Sequence, residues 1–194
     1  HLSDFRLNQF GKFLCFAILA LGLDLIWGYC GVLSLGQGVF FGFGAYCMGM
    51  YLSLQIGSES VYGSELPDFM VWTQVKELPL FWYPFKSFVG GFLGAILVPV
   101  LFATIFGFLA FRSRIKGVYF AIITQALAFA AWLVFNRNET RLGGTNGLTD
   151  FKGILGFNIQ AATTRASLFA ASAIALALAV VICSAIVNSK LGKI

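Results

Sequence analysis

The sequence predicts an all-α integral membrane fold, a polytopic bundle of about five transmembrane helices with a glycine-rich broken or re-entrant segment. Three observations lead there. First, 59% of the 194 residues are hydrophobic and only 11% are charged, against about 25% charged in ordinary soluble domains. So few charges cannot cover the surface of a water-soluble fold. Second, the chain divides into apolar runs of bilayer-spanning length, roughly 20 residues each. Third, no charged residue occurs between Leu25 and Ser58, which is too long for one span. The chain must turn within it.

The elements follow in order. Residues 1–11 are amphiphilic, with Asp4, Arg6 and Asn8, and Lys12 introduces a first span over about 13–29. Asp24 is the only charge in that span. A turn near Gly28–Gly38 leads to a second span over about 36–55. Residues 56–87 carry Glu59, Glu65, Asp68, Lys76, Glu77 and Lys86, three prolines, and the aromatics Tyr62, Trp72, Phe81, Trp82, Tyr83 and Phe85. This reads as an extramembrane loop returning through an interfacial aromatic belt. A third span covers about 87–111, with a kink expected at Pro99. After the short basic connection Arg112, Arg114, Lys116 comes a fourth span over about 117–135. Residues 136–165 form a second polar loop with turn signals at Gly143-Gly144 and Asn146-Gly147. The fifth span covers about 166–187 and ends at the basic Lys190 and Lys193.

Charge orients this set. One side carries Arg112, Arg114, Lys116, Lys190 and Lys193 and no acidic residue; the other mixes both signs. The basic bias assigns the first side to the cytoplasm. The N-terminal segment then lies outside, which predicts a further span before residue 1. The net charge of +5 therefore reports membrane topology. No basic stripe with interleaved aromatics points to nucleic acid.

Few residues carry chemistry. Asp24 in mid-span costs about 2.5–3.5 kcal/mol on insertion scales. It either lines a polar path or reaches interfacial water near the span's end, and both readings stand. Ser34, Gly38, Gly42, Ala45 and Gly49 recur at helical spacing and form one small-residue face. That face is a helix-packing seam, or the flank of a helix broken in mid-membrane, where freed backbone groups with Ser34 and Gln37 would meet a small polar solute. Thr124 and Gln125 lie in mid-span four. Gln125 is expected to face the bundle interior, because an unpaired amide against lipid is costly. Ser172 is expected to bond back to its own helix. Cys15, Cys30, Cys47 and Cys183 sit in apolar runs without metal-ligand spacing. No nucleophile motif, in-membrane carboxylate pair or P-loop is present. The residues describe a transport component rather than an enzyme, with no metal site and no cofactor of its own.

Three blocks carry a family resemblance: ALGLDLIWGYCGVLSLGQGVFFGFGAY (Ala20–Tyr46), RSRIKGVYFAIITQALAF (Arg112–Phe129) and GGTNGLTDF (Gly143–Phe151). They resemble the membrane permease subunits of branched-chain amino acid and urea ABC importers. LDLIWGY and ETRLGGTNGLTDF are most similar to the urea-type second permease. Gln37 departs from the family, which often has His at that place after LSLG. The resemblance implies a single permease domain over 1–194, incomplete at both ends, in the bacterial plasma (inner) membrane. It also implies a second related permease, two cytoplasmic ATPase subunits that hold ATP and Mg, and a periplasmic or extracellular solute-binding protein. The solute would be urea or a short amide. Two alternatives stay open: a branched-chain amino acid permease, and a secondary transporter or channel for a small polar solute.

Overall fold

The computed structural model describes residues 4–57, 60, 62–115 and 117–189. Five long helices account for most of it: α1 (Asp4–Asp24, continued by a π-helical turn over Leu25–Tyr29), α2 (Gln37–Leu54), α4 (Phe88–Arg112), α5 (Val118–Asn136) and α6 (Ala162–Asn188). A short α3 (Asp68–Trp72) and a 3-10 turn over Leu80–Lys86 lie between α2 and α4. A two-residue hairpin, β1 (Gly153–Ile154) with β2 (Phe157–Asn158), precedes α6. Among the described residues, four helical stretches are long and apolar enough to cross a bilayer: Phe5–Tyr29, Phe88–Arg112, Val118–Asn136 and Ala162–Asn188. The fifth helix, α2, is the glycine-rich one. The first helix starts well before the expected residue 13, because the amphiphilic segment from Asp4 continues the same helix.

Two helices, α2 and α4, run antiparallel in close contact. Gly91 meets Tyr51, Gly94 meets Cys47 and the ring of Phe85, and Phe102 packs on Phe40 and Phe43 at 6.1 and 4.8 Å between ring centroids. The closest approach has a specific cause. Pro99 lacks an N–H, so the carbonyl of Ala95 loses its helical donor. Gly44 of α2 faces that carbonyl, and a Cβ there would stand 3.0 Å from it. A glycine Cα–H can contact the freed oxygen instead. The α2–α4 seam is thus built on Gly44, Gly91 and Gly94.

That result corrects the expected seam. Gly38 and Gly42 have no neighbour within 4 Å of a notional Cβ, and Ala45 is exposed. Of the predicted face, only Gly49 is packed, and it meets Leu148 and Phe151 rather than another membrane helix. Ser34 is not on the helix at all, since α2 starts at Gln37. The physical reason is that α2 carries glycines on two faces, and only one of them meets α4.

Gly91→Val tests the observed seam. A Cβ at Gly91 already stands 2.8 Å from Tyr51 Cβ, so a branched side chain forces the helices apart. Overpacking of this kind costs about 1–3 kcal/mol. Detergent-solubilised protein should lose thermal stability accordingly, whereas Gly42→Val should leave the melting temperature of the isolated chain close to the parent's.

On the other side of the bundle α1 packs along α6. Cys15 and Phe16 line one cleft with Leu168 and Ser172. Phe16 reaches Phe41 and ties this pair to α2. Ser172 donates to the Phe169 carbonyl at 2.8 Å, as expected of a back-bonding serine.

The two most buried side chains, Met70 and Trp82, lie at one end, in a cap. Met70 and Trp82 are 0% exposed and pack with Met50 and, around them, Leu54, Leu66, Phe69, Phe85, Leu142 and Leu148. The described residues of 56–87 therefore form a folded cap rather than a loop with a belt of aromatics. Tyr62, Trp72, Phe81 and Tyr83 are exposed and suit an interface; Trp82 does not. The opposite end carries Arg112 and Arg114 and is called the basic end below. Lys116, Lys190 and Lys193, expected on that side, lie outside the described residues.

Candidate functional site

The chain breaks between α1 and α2. The π-helical turn Leu25–Tyr29 widens the end of α1, and the Cys30 and Val32 N–H groups both donate to the Ile26 carbonyl. Gly31 then takes a φ of +65°, a region that favours glycine, and reverses the chain. Residues 31–34 and 36 are not helical, and α2 begins at Gln37 behind Gly36.

The break lies inside the membrane-spanning layer. Gly36 packs against Thr124, with a notional Cβ 3.0 Å from the Thr124 carbonyl and 3.2 Å from its Cβ. Thr124 is six residues into α5, about 9 Å from the basic end at 1.5 Å per residue. The α2–α4 register agrees. Extending the Gly91–Tyr51 and Phe102–Phe40 pairs leaves the last two turns of α4, about 10 Å, beyond the start of α2. The α2 N-terminus therefore opens about a third of the way into a hydrocarbon core of about 30 Å. Toward the cap, α2 runs past the end of α5: Tyr46 stacks on Phe135 at 4.0 Å, while Tyr51 accepts a hydrogen bond from the Leu155 N–H at 3.3 Å.

A broken backbone in a membrane needs its polar groups satisfied. Thr124 supplies one partner. Its Oγ1 accepts from the Leu35 N–H at 3.0 Å, and its own hydroxyl proton is shared between the Phe120 and Ala121 carbonyls, each 3.0 Å away. Thr124 is 1% exposed. Its oxygen is fully committed within the chain, so it positions the break and does not present a free hydroxyl to a solute.

The other expected path residues distribute as follows. Ser34 is buried in the break and Gln37 is half-buried at the first position of α2. Both are brought to one place by the Leu35–Thr124 bond. Asp24 lies at the α-to-π transition, exposed, with its carboxylate over Gly28. Gln125 is exposed on the face of α5 turned away from Thr124, which corrects its expected interior orientation. Neighbouring helical side chains point about 100° apart, and Thr124 takes the interior place. Sequence reading missed Gly36 as the close-packed glycine of the break. The signal was available: Gly36 lies between the two polar residues of LSLGQG, Ser34 and Gln37.

From the break, the open small-residue face of α2 (Gly38, Gly42, Ala45) leads toward the cap. There it meets a cleft of about 480 Å³ between Ala45, Met48, Gly49 and Leu52 and the side chains of Leu148 and Phe151. A second cleft, about 740 Å³, lies on the cap side and is mixed in character: the polar Gln55, Asp150, Lys152, Asn158 and Gln160 line it together with Ile56, Phe151 and Phe157.

A bundle of apolar helices with one helix started afresh among them has the build of a multi-pass membrane protein. The family follows from the sequence comparison. A family model described as branched-chain amino acid transport system / permease component matches residues 5–194, and the chain belongs to that family of transport permeases. No curated protein and no solved structure matches it.

Proposed function

We propose that this chain is a permease subunit of an ATP-driven ABC importer, and that its solute is urea or a related short amide. In this reading it pairs with a second permease and rests, basic end down, on two cytoplasmic ATPase subunits in the bacterial inner membrane. A solute-binding protein delivers the solute to the cap side. The observation that carries the reading is the α2 N-terminus opening inside the membrane beside Ser34 and Gln37. Free N–H groups of a helix start suit a carbonyl oxygen. Ser34 Oγ and Gln37 Oε1 suit N–H donors. Urea offers one carbonyl and N–H groups and no charge. Asp24, the only charged side chain of the break, would repel an anion and accept from N–H. The urea-like LDLIWGY and ETRLGGTNGLTDF blocks favour the same solute.

A second reading, a branched-chain amino acid as solute, draws on the family's description and on the affinity of a helix N-terminus for carboxylate. The two separate in one experiment. The complete transporter, assembled in vesicles with its binding protein, should show ATPase stimulation and uptake with urea; stimulation by leucine alone moves the assignment to the amino acid. Within that assay Gln37→Leu removes one neutral hydrogen bond from the path. Urea uptake should fall by about two- to tenfold with the amount of assembled complex unchanged. Unaltered uptake would take Gln37 off the path.

A further inference from the structure

Phe151 has an unusual position. It borders both clefts described above, the mixed one on the cap side and the one on the membrane side against α2. Leu148 shares only the membrane-side cleft. Both side chains close onto Gly49: a Cβ there would stand 3.0 Å from Leu148 Cδ1 and 3.7 Å from Phe151 Cζ. Gly49 continues the face on which Gly38, Gly42 and Ala45 are open. So that face is clear from the break as far as Ala45 and is covered from Gly49 onward.

We infer that Leu148 and Phe151 form a gate at the cap end of the path along α2, shut in this structure, with Phe151 as the partition between a half-polar vestibule and the membrane-level path. The inference rests on the permease reading above, in that it takes the α2 face to line the path.

Three features support it. The chemistry changes across Phe151: on one side Gln55, Asp150, Lys152, Asn158 and Gln160 stand among Ile56 and Phe157, in a cleft about half polar, and on the other Ala45, Tyr46, Met48 and Leu52 make a mostly apolar one. A half-polar vestibule that ends at an apolar constriction has the form of barrier that closes by excluding water. The segment also has a backbone suited to two positions. Gly143, Gly144, Gly147 and Asp150 all have positive φ, of 96°, 57°, 67° and 60°, and hinges are a few loop residues that absorb backbone rotation. Finally, the gate is joined to the helix it closes on. Tyr51, half a turn from Gly49, holds the Leu155 N–H in the hairpin that follows Phe151. A shift of α2 relative to the cap therefore pulls on the segment that carries the gate.

The test measures access rather than transport. In the assembled transporter, with Cys15, Cys30, Cys47 and Cys183 replaced by Ser, Ala45→Cys places a thiol below the gate and Gln55→Cys one in the vestibule. A charged, membrane-impermeant maleimide is added on the cap side of reconstituted vesicles. Ala45→Cys should label slowly and Gln55→Cys fast. A closed gate that opens to a minor state populated at 0.1–10% slows labelling at least about tenfold. Adding Phe151→Ala, or separately Leu148→Ala, should recover at least most of that factor at Ala45→Cys and leave Gln55→Cys unchanged. The unchanged Gln55→Cys rate also shows that the cap has kept its fold. Fast labelling of Ala45→Cys in the parent, or slow labelling that neither variant accelerates, overturns the gate. Urea plays no part in this readout. If labelling behaves as expected but urea is not taken up, the gate stands and the solute assignment falls.

Discussion

Thr124→Val should reach the membrane and assemble, yet take up solute at a small fraction of the parent's rate. Valine keeps the shape of threonine and loses the oxygen. The Leu35 N–H, which donates to Thr124 Oγ1 at 3.0 Å, is then left without a partner at a depth where water is scarce. An unsatisfied buried donor costs about 1–3 kcal/mol, and each 1.4 kcal/mol is a factor of ten in a population. The break no longer has one preferred position, and Ser34 and Gln37 lose their placement with it. Uptake should fall by about tenfold to a hundredfold. Thr124→Ser keeps the oxygen and should restore most of the activity. Loss in both variants would point to packing of the threonine methyl; normal uptake in Thr124→Val would remove the hydrogen bond from the account altogether.

Trp82→Ala should have the largest effect on stability. Trp82 is 0% exposed and packs with Met50 and Met70, and its ring lies 5.9 Å from that of Phe69. Truncating a core tryptophan costs about 3–5 kcal/mol, a large share of what holds a small cap together. Of the long helices only α2 enters this cluster, through Met50 and Leu54 at its end, so the protein should remain membrane-embedded with its cap open. Lys76, before the 3-10 turn, and Lys86, its last residue, then become sites for trypsin added on the cap side. Trp82→Phe should be milder. It keeps an aromatic ring, and the indole Nε1–H it removes has no hydrogen-bond partner among the described residues. Equal protease resistance in parent and Trp82→Ala would show that the cap is held by other contacts.

The long helices were legible because an apolar run of span length has few other physical outcomes. The break was legible too, from an uncharged stretch too long for one span and studded with glycine. Which side of α2 packs was not. Periodicity identifies a buried face only when the other face is polar, and in a membrane both faces are apolar. With glycines at 38, 42, 44 and 49, spacing alone cannot choose between Gly38–Gly42 and Gly44. The Pro99–Ala95–Gly44 match decides it, and that match spans two helices. Thr124 and Gln125 show a different limit. The longer amide was expected inside because it has more to satisfy. Threonine goes inside because it bonds to its own preceding turn and needs only one donor from elsewhere. The cap aromatics have one composition and two fates, belt and core, and nothing local distinguishes Trp82 from Trp72.

The cap also fixes an order of assembly. Its core joins Met50, at the end of α2, and Met70 and Trp82, between α2 and α4, to Leu142 and Leu148 beyond α5. A chain that enters the membrane in sequence places the first three across the bilayer while α5 is still to come. Membrane helices form before they associate, so α2 and α4 can join their seam early. The cap stays incomplete until the segment after α5 has been translocated. During synthesis its apolar side chains therefore wait, half-covered, for Leu142 and Leu148, and the same late arrival that completes the cap also sets Leu148 and Phe151 against Gly49.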